Sequence, residues 1–170
     1  NYMKLLIKNA NACLPDKIAK KDILIENGLI SQIEDFIQPD PEFTVINAES
    51  LYAMPGMIDI HTHLDDKIGA FELADTYYTG SKVAIINGIT TLFSFITESQ
   101  NCSLNNAIMI ARNKADNRCL CDYHWHLTPV NFTRDDMFNI TRLIEAGFTT
   151  FKMYTTYRQA GIFSEYKRIE

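Results

Sequence analysis

The sequence has no excess of basic charge, no long apolar run and no disulfide pattern, and each absence removes a class of function. Lys and Arg number 16 against 21 Asp and Glu, a formal charge of -5 over 170 residues. The electrostatic footprint of a nucleic-acid binder is therefore missing. The longest stretch without a charged residue, 83–97, carries Asn87, Gly88 and several threonines. It is too short and too polar to span a bilayer. Lys4 and Lys8 interrupt the first apolar run, which argues against a secretory leader. Cys13, Cys102, Cys119 and Cys121 do not fall at the spacings of a disulfide framework. Cys119-Leu120-Cys121 also lacks the two-residue gap of a zinc knuckle or redox motif. Free thiols in a cytoplasmic protein are the expectation. The sequence shows no internal repeat and no low-complexity stretch. What is present is 46% hydrophobic residues, enough for a globular core.

Two patterns follow one another along the chain. Residues 1–53 read as β-structure. Apolar runs at 22–26 and 29–33 flank Asn27-Gly28, the strongest short hairpin signal, because both turn positions need positive φ. Further short strands are expected at 3–7 and from Val45-Ile46. From residue 54 to 170 strands alternate with helices. Strands are predicted at 57–63, 90–96, 121–127 and 149–154. The first helix, 78–87, is closed by Gly88. The second is capped by Ser103 and turns Leu104, Ala107, Ile108 and Ala111 to one side. The third is capped by Thr133, turns Met137, Ile140 and Ile144 inward, and stops at Gly147. Residues 161–170 read as the opening of another helix. Strands separated by helices imply right-handed crossovers and a parallel α/β sheet. Four such units fit an open doubly wound sheet or half of an eight-stranded barrel, which takes about 250 residues.

The chemistry concentrates in two of these strands. In Met57-Ile58-Asp59-Ile60-His61-Thr62-His63, alternation puts Asp59, His61 and His63 on one face, at the strand's C-terminal end. Active sites of barrels lie at that end. Two neutral imidazoles at this spacing can grip one divalent cation. Lys152 stands between Phe151 and Met153 near Tyr154, neighbours expected to disfavour a free ammonium. The plain alternative is a lysine that snorkels to the strand end or pairs with a carboxylate. Beside metals, a desolvated lysine can lose its proton and capture carbon dioxide as an anionic, bridging carbamate. His124 and His126 form another alternating pair, read as core or supporting histidines rather than ligands. Asp59 is read as a structural partner, and Tyr77, Tyr78, Phe93, Phe95 and Trp125 as packing.

These segments resemble the amidohydrolase superfamily and, within it, the cyclic amidohydrolases: dihydropyrimidinase/hydantoinase, dihydroorotase and allantoinase. The resemblance rests on Asn27-Gly28-Leu29-Ile30, the run from Pro55 to His63, Ala74-Asp75, Asn87-Gly88, Asp122-Tyr123-His124-Trp125-His126 and the run from Gly147 to Tyr154. It implies the opening part, about four βα units, of a metal-dependent (β/α)8 TIM barrel, preceded by part of a small β-sandwich. It implies that His61 and His63 bind the more buried of two divalent metal ions, with zinc the family's usual metal. Lys152, carboxylated, would bridge both ions, and Tyr157 would hydrogen-bond the developing oxyanion. A metal-bridging hydroxide would attack a ring amide carbonyl of a small cyclic amide. Asp65 stands where dihydroorotases carry an arginine for the substrate carboxylate, so the resemblance favours the dihydropyrimidinase/hydantoinase type. A non-catalytic scaffold relative is the competing reading, disfavoured because His61, His63 and Lys152 are all kept. The family's remaining ligands are two histidines and an aspartate, yet no histidine follows His126. The expectation is an N-terminal half, inactive alone and associating with itself as a homo-oligomer.

Overall fold

The computed structural model describes residues 4–68, 70–99, 101–130, 134–157 and 159. The chain divides into two compact units, Asn1–Pro55 and Gly56–Glu170.

The first unit is a five-stranded sheet built from β1 (Lys4–Cys13), β2 (Ile18–Glu26), β3 (Leu29–Glu34), β4 (Phe43–Asn47) and β5 (Tyr52–Ala53). The order is β3-β2-β1-β4, with β5 also beside β1. The β2–β3 hairpin turns at Asn27 (φ 55) and Gly28 (φ 78), the positive pair its sequence demands. Leu6, Leu24 and Ile37 form its buried cluster. Asp22 is buried beside them at 2% exposure. A register break in β1 between Ile7 and Ala10 turns the Asn9 N–H towards the Asp22 carboxylate. Lys8 Nζ and the Ile37 N–H complete the set. Burial by itself would raise the Asp22 carboxyl, but these three donors outweigh it and hold the group below the usual carboxylate range.

The second unit contains β6 (Met57–Asp59), the small hairpin β7 (Lys67–Ile68) and β8 (Phe71–Glu72), α1 (Tyr77–Ile86), β9 (Ile89–Thr97), α2 (Leu104–Ala115), β10 (Asp122–Thr128) and α3 (Arg134–Glu145). Strands β10-β9-β6 form a parallel sheet in that order. Leu92, Ser94, Ile96, Trp125 and Leu127 alternate onto one buried face. Tyr77, Leu104, Ile108, Ala115, Leu143 and Phe148 join Ile96, Trp125 and Leu127 in the core cluster. The opposite face carries Phe93, Phe95, His124 and His126, all half-buried. Thr76 opens α1 with a reciprocal cap to Thr79, and Gly88 (φ 84) follows its last turn. Ser103 caps α2 as expected. At Gly56 a β-carbon would lie 2.0 Å from Thr90 Oγ1, so only glycine lets this segment lie against β9.

Three expectations change. The first strand ends at Asp59, not at residue 63, because the Asp59 carboxylate accepts the His61 N–H (3.0 Å) and takes it out of the ladder. Pairing resumes at Thr62, whose N–H reaches Phe93 O (2.9 Å). The strand predicted at 149–154 is reduced to a parallel bridge between Leu127 and Phe151. In α3, Leu143 takes the buried position and Ile144 is 45% exposed. The cap at Thr133, the side chain of Met137 and residues 161–170 lie outside the described residues.

Candidate active site

The local break after Asp59 shapes the candidate site. It sends the Thr62 hydroxyl to the core side, 3.0 Å from Ser94 Oγ, and leaves His61 and His63 beside Phe95. The two imidazole centroids are 5.5 Å apart. The His61 ring meets Phe95 edge-on at 4.7 Å, and the His63 ring stacks on it at 4.9 Å. The Asp66 carboxylate lies 3.3 Å from His63 Nδ1. A carboxylate only accepts, so this contact puts the proton on Nδ1 and leaves the Nε2 lone pair available.

Lys152 arrives from the segment after α3. Its N–H donates to Leu127 O (2.8 Å), which fixes its backbone against β10. Its Nζ lies 4.0 Å from the Phe95 ring centre and 5.0 Å from that of Tyr154. Of the neighbours expected to penalise an ammonium, Tyr154 instead offers a π face, and Phe95 of β9 offers a second, closer one. His61 and His63 meet Lys152, which lies far along the chain from both, around one phenylalanine. Neither periodicity nor motif singled out Phe95, which sequence reasoning had assigned to packing.

His126 ties this arrangement together. Its Nε2 lies 2.9 Å from Ile60 O, the carbonyl that leaves the ladder at the strand break. Its Nδ1 lies 2.7 Å from Thr150 Oγ1. The carbonyl fixes Nε2–H as donor, so Nδ1 accepts from the Thr150 hydroxyl. The ring also stacks on Phe93 at 5.1 Å and lies 5.2 Å from Phe95. Both nitrogens are engaged, which supports the reading of His126 as a supporting histidine. His124 is similarly occupied, with Nε2 3.2 Å from Gly147 O and its ring stacked on Phe148.

Two residues sit differently from expectation. Tyr157 is 64% exposed, has φ 60, and packs its ring edge-on against Tyr154. Asp65 does not present its carboxylate to a ligand. It accepts the Tyr77 N–H at the start of α1 (2.6 Å), while its carbonyl accepts from Lys114 Nζ. A pocket of about 220 Å³ opens between the Leu64–Asp66 turn, the end of β9 and α2, lined by Leu64, Asp65, Phe95, Thr97, Cys102 and Lys114 among others, and His61, His63 and Lys152 are not in its lining.

The donor set fits a divalent metal. Metal–nitrogen bonds of about 2.1 Å put two ligating imidazole centres roughly 5–6 Å apart, and His61 and His63 already have that separation. Among the described residues, no group of three or more His, Cys, Asp and Glu side chains is clustered for a metal. The histidine pair and Lys152 do not by themselves make a metal site among the described residues.

No protein-family model matches the chain. D-phenylhydantoinase of Escherichia coli strain SE11 is 31% identical over 157 residues, 92% of this chain and 34% of that protein. The dihydropyrimidinase of Brevibacillus agri NCHU1002 superimposes with a TM-score of 0.92 at 27% identity, over 98% of this chain and 36% of that one. The D-hydantoinase (dihydropyrimidinase) of a Thermus species gives 0.84 at 30% identity, over 91% and 34%. The chain thus spans about a third of the length of the curated relatives it matches. Over 157 residues in sequence, and over nine-tenths or more of its length in backbone, this chain is similar to one stretch of these hydantoinases and dihydropyrimidinases.

Proposed function

We propose that this chain contributes part of the active site of a metal-dependent hydrolase that opens cyclic amides of the hydantoin and dihydropyrimidine class by cleaving a ring C–N bond. The observation that carries the reading is the convergence of His61, His63 and Lys152 on Phe95. His61 and His63 would hold the more buried cation. Lys152, carrying carbon dioxide as a carbamate, would offer oxygens to both cations. Zinc suits imidazole ligation. Such cations lower the pKa of water and polarise the ring carbonyl.

The chain's own residues do the positioning. Asp66 orients His63, Asp59 sets the turn that presents His61, and His126 spaces the first strand from the segment bearing Lys152. Carbamate formation requires Nζ to leave its seat on the Phe95 and Tyr154 rings as a neutral amine. Tyr157 would donate its hydroxyl to the oxyanion, which requires its exposed side chain to swing towards the histidines. The second unit would then be the opening of an eight-stranded barrel (54–170), and the first part of a small β-sandwich (1–53). The activity is proposed for the cytoplasmic, homo-oligomeric protein in which these residues meet two further histidines and an aspartate.

The test is metal content and intact mass after expression with zinc, with turnover of dihydrouracil and hydantoin. About two metals per site, a lysine adduct of one carbon dioxide, and loss of both in His61→Ala and Lys152→Ala are expected. Absence of metal from a folded protein carrying the complete ligand set would instead favour a non-catalytic scaffold.

A further inference from the structure

The second unit holds another cluster of metal-binding side chains, unconnected with the histidines. Cys119 and Cys121 are free, half-buried thiols whose sulfurs lie 4.0 Å apart. Their backbone is pinned. The Cys119 N–H donates to Ala115 O (2.9 Å) at the end of α2. The N–H of the intervening Leu120 donates to Ser81 Oγ (2.9 Å), a fully buried hydroxyl on α1. Leu120 is 47% exposed, so the turn reaches solvent. Two thiols two residues apart are thus held on the same side of a fixed turn.

We propose that Cys119 and Cys121 form a two-sulfur site for a soft monovalent cation of the copper(I) class. Thiolate–metal bonds of about 2.3 Å place two sulfurs roughly 3.8 Å apart at the tetrahedral angle and about 4.6 Å apart when collinear. The observed 4.0 Å lies within that range, so a cation enters with little backbone movement. Among the described residues no third cysteine, histidine or carboxylate clusters with the two sulfurs for a metal, and a two-sulfur site selects a soft ion of low coordination number over zinc. Binding releases the two thiol protons to solvent, forms two sulfur–metal bonds and moves no electrons. Burial first, and then the neighbouring Cys119, push the Cys121 thiol up to about 11, so the incoming cation has to displace that proton and uptake should strengthen as pH rises.

The experiment is an anaerobic titration of the whole chain with copper(I) held by bicinchoninate, read by loss of the chelate colour. We expect one copper(I) withdrawn per chain. Affinity should fall at least tenfold in Cys119→Ser and in Cys121→Ser, and be kept in the Cys13→Ser/Cys102→Ser double variant. X-ray absorption of the loaded wild type should show two sulfurs and no nitrogen around copper, and it decides the matter if the serine variants fail to fold. No copper withdrawn, unchanged uptake in both single variants, or a nitrogen shell from the histidines overturns the proposal.

Discussion

At the scale of single residues, the decisive contacts are those that a strand pattern does not encode. Asp59 stands in the chain as one more alternating residue, yet its carboxylate captures the His61 N–H and ends the strand. That break frees Ile60 O, and His126 takes it up. Replacing His126 by leucine leaves the Ile60 carbonyl and the Thr150 hydroxyl without this partner. It should cost about 2 kcal/mol in urea unfolding, with the glutamine variant recovering part of the loss. A leucine variant as stable as wild type would mean that the ring only fills space. The histidine pair itself was legible from spacing, whereas Lys152 stood out by its apolar neighbours and by the family resemblance. Their common neighbour Phe95 was not, because it lies on a different strand and its role depends on register.

Elements show where local chemistry suffices. The Asn27-Gly28 hairpin and the cap at Ser103 follow from short-range physics and form where the sequence puts them, while the reciprocal cap at Thr76 emerges from the structure. Thr76→Ala should cost about 1 kcal/mol, read from the shift in urea midpoint. The start of β6 depends on a non-local contact. Gly56→Ala drives a β-carbon into Thr90, and we expect a loss of about 2 kcal/mol or more. Thr90→Gly in the same chain should relieve the clash and return part of that stability. If the double variant is no better than the sum of the singles, the close approach is not the cause. Strand four shows the converse. Among the described residues, 149–154 show a single bridge to β10, at Leu127 and Phe151, because a strand is defined by its partners and not by propensity.

At the scale of the whole molecule, the two units respond to different conditions. The first unit depends on Asp22 staying ionised among Lys8, Asn9 and Ile37. The folded-state carboxyl lies below its unfolded value of about 3.9, so its contribution is full above that pH and is lost as pH falls through the folded value. Amide exchange in β1 and β2 should therefore be steady from neutral pH down to about 5 and quicken below about 4, after correction for intrinsic rates. Asp22→Asn should lower the neutral plateau and flatten the acid slope. A slope unchanged in that variant would assign the acid sensitivity to other groups. The sequence by itself determined the β-then-βα organisation, the hairpin, the Ser103 cap and the histidine pair, because turns, caps and alternation are set by residues a few positions apart. The tertiary structure alone decided that His61, His63 and Lys152 share Phe95, that Asp65 serves a helix terminus, and that Cys119 faces Cys121 across a pinned turn. Those facts depend on strand register and side-chain hydrogen bonds between residues far apart in the chain, which no local pattern records.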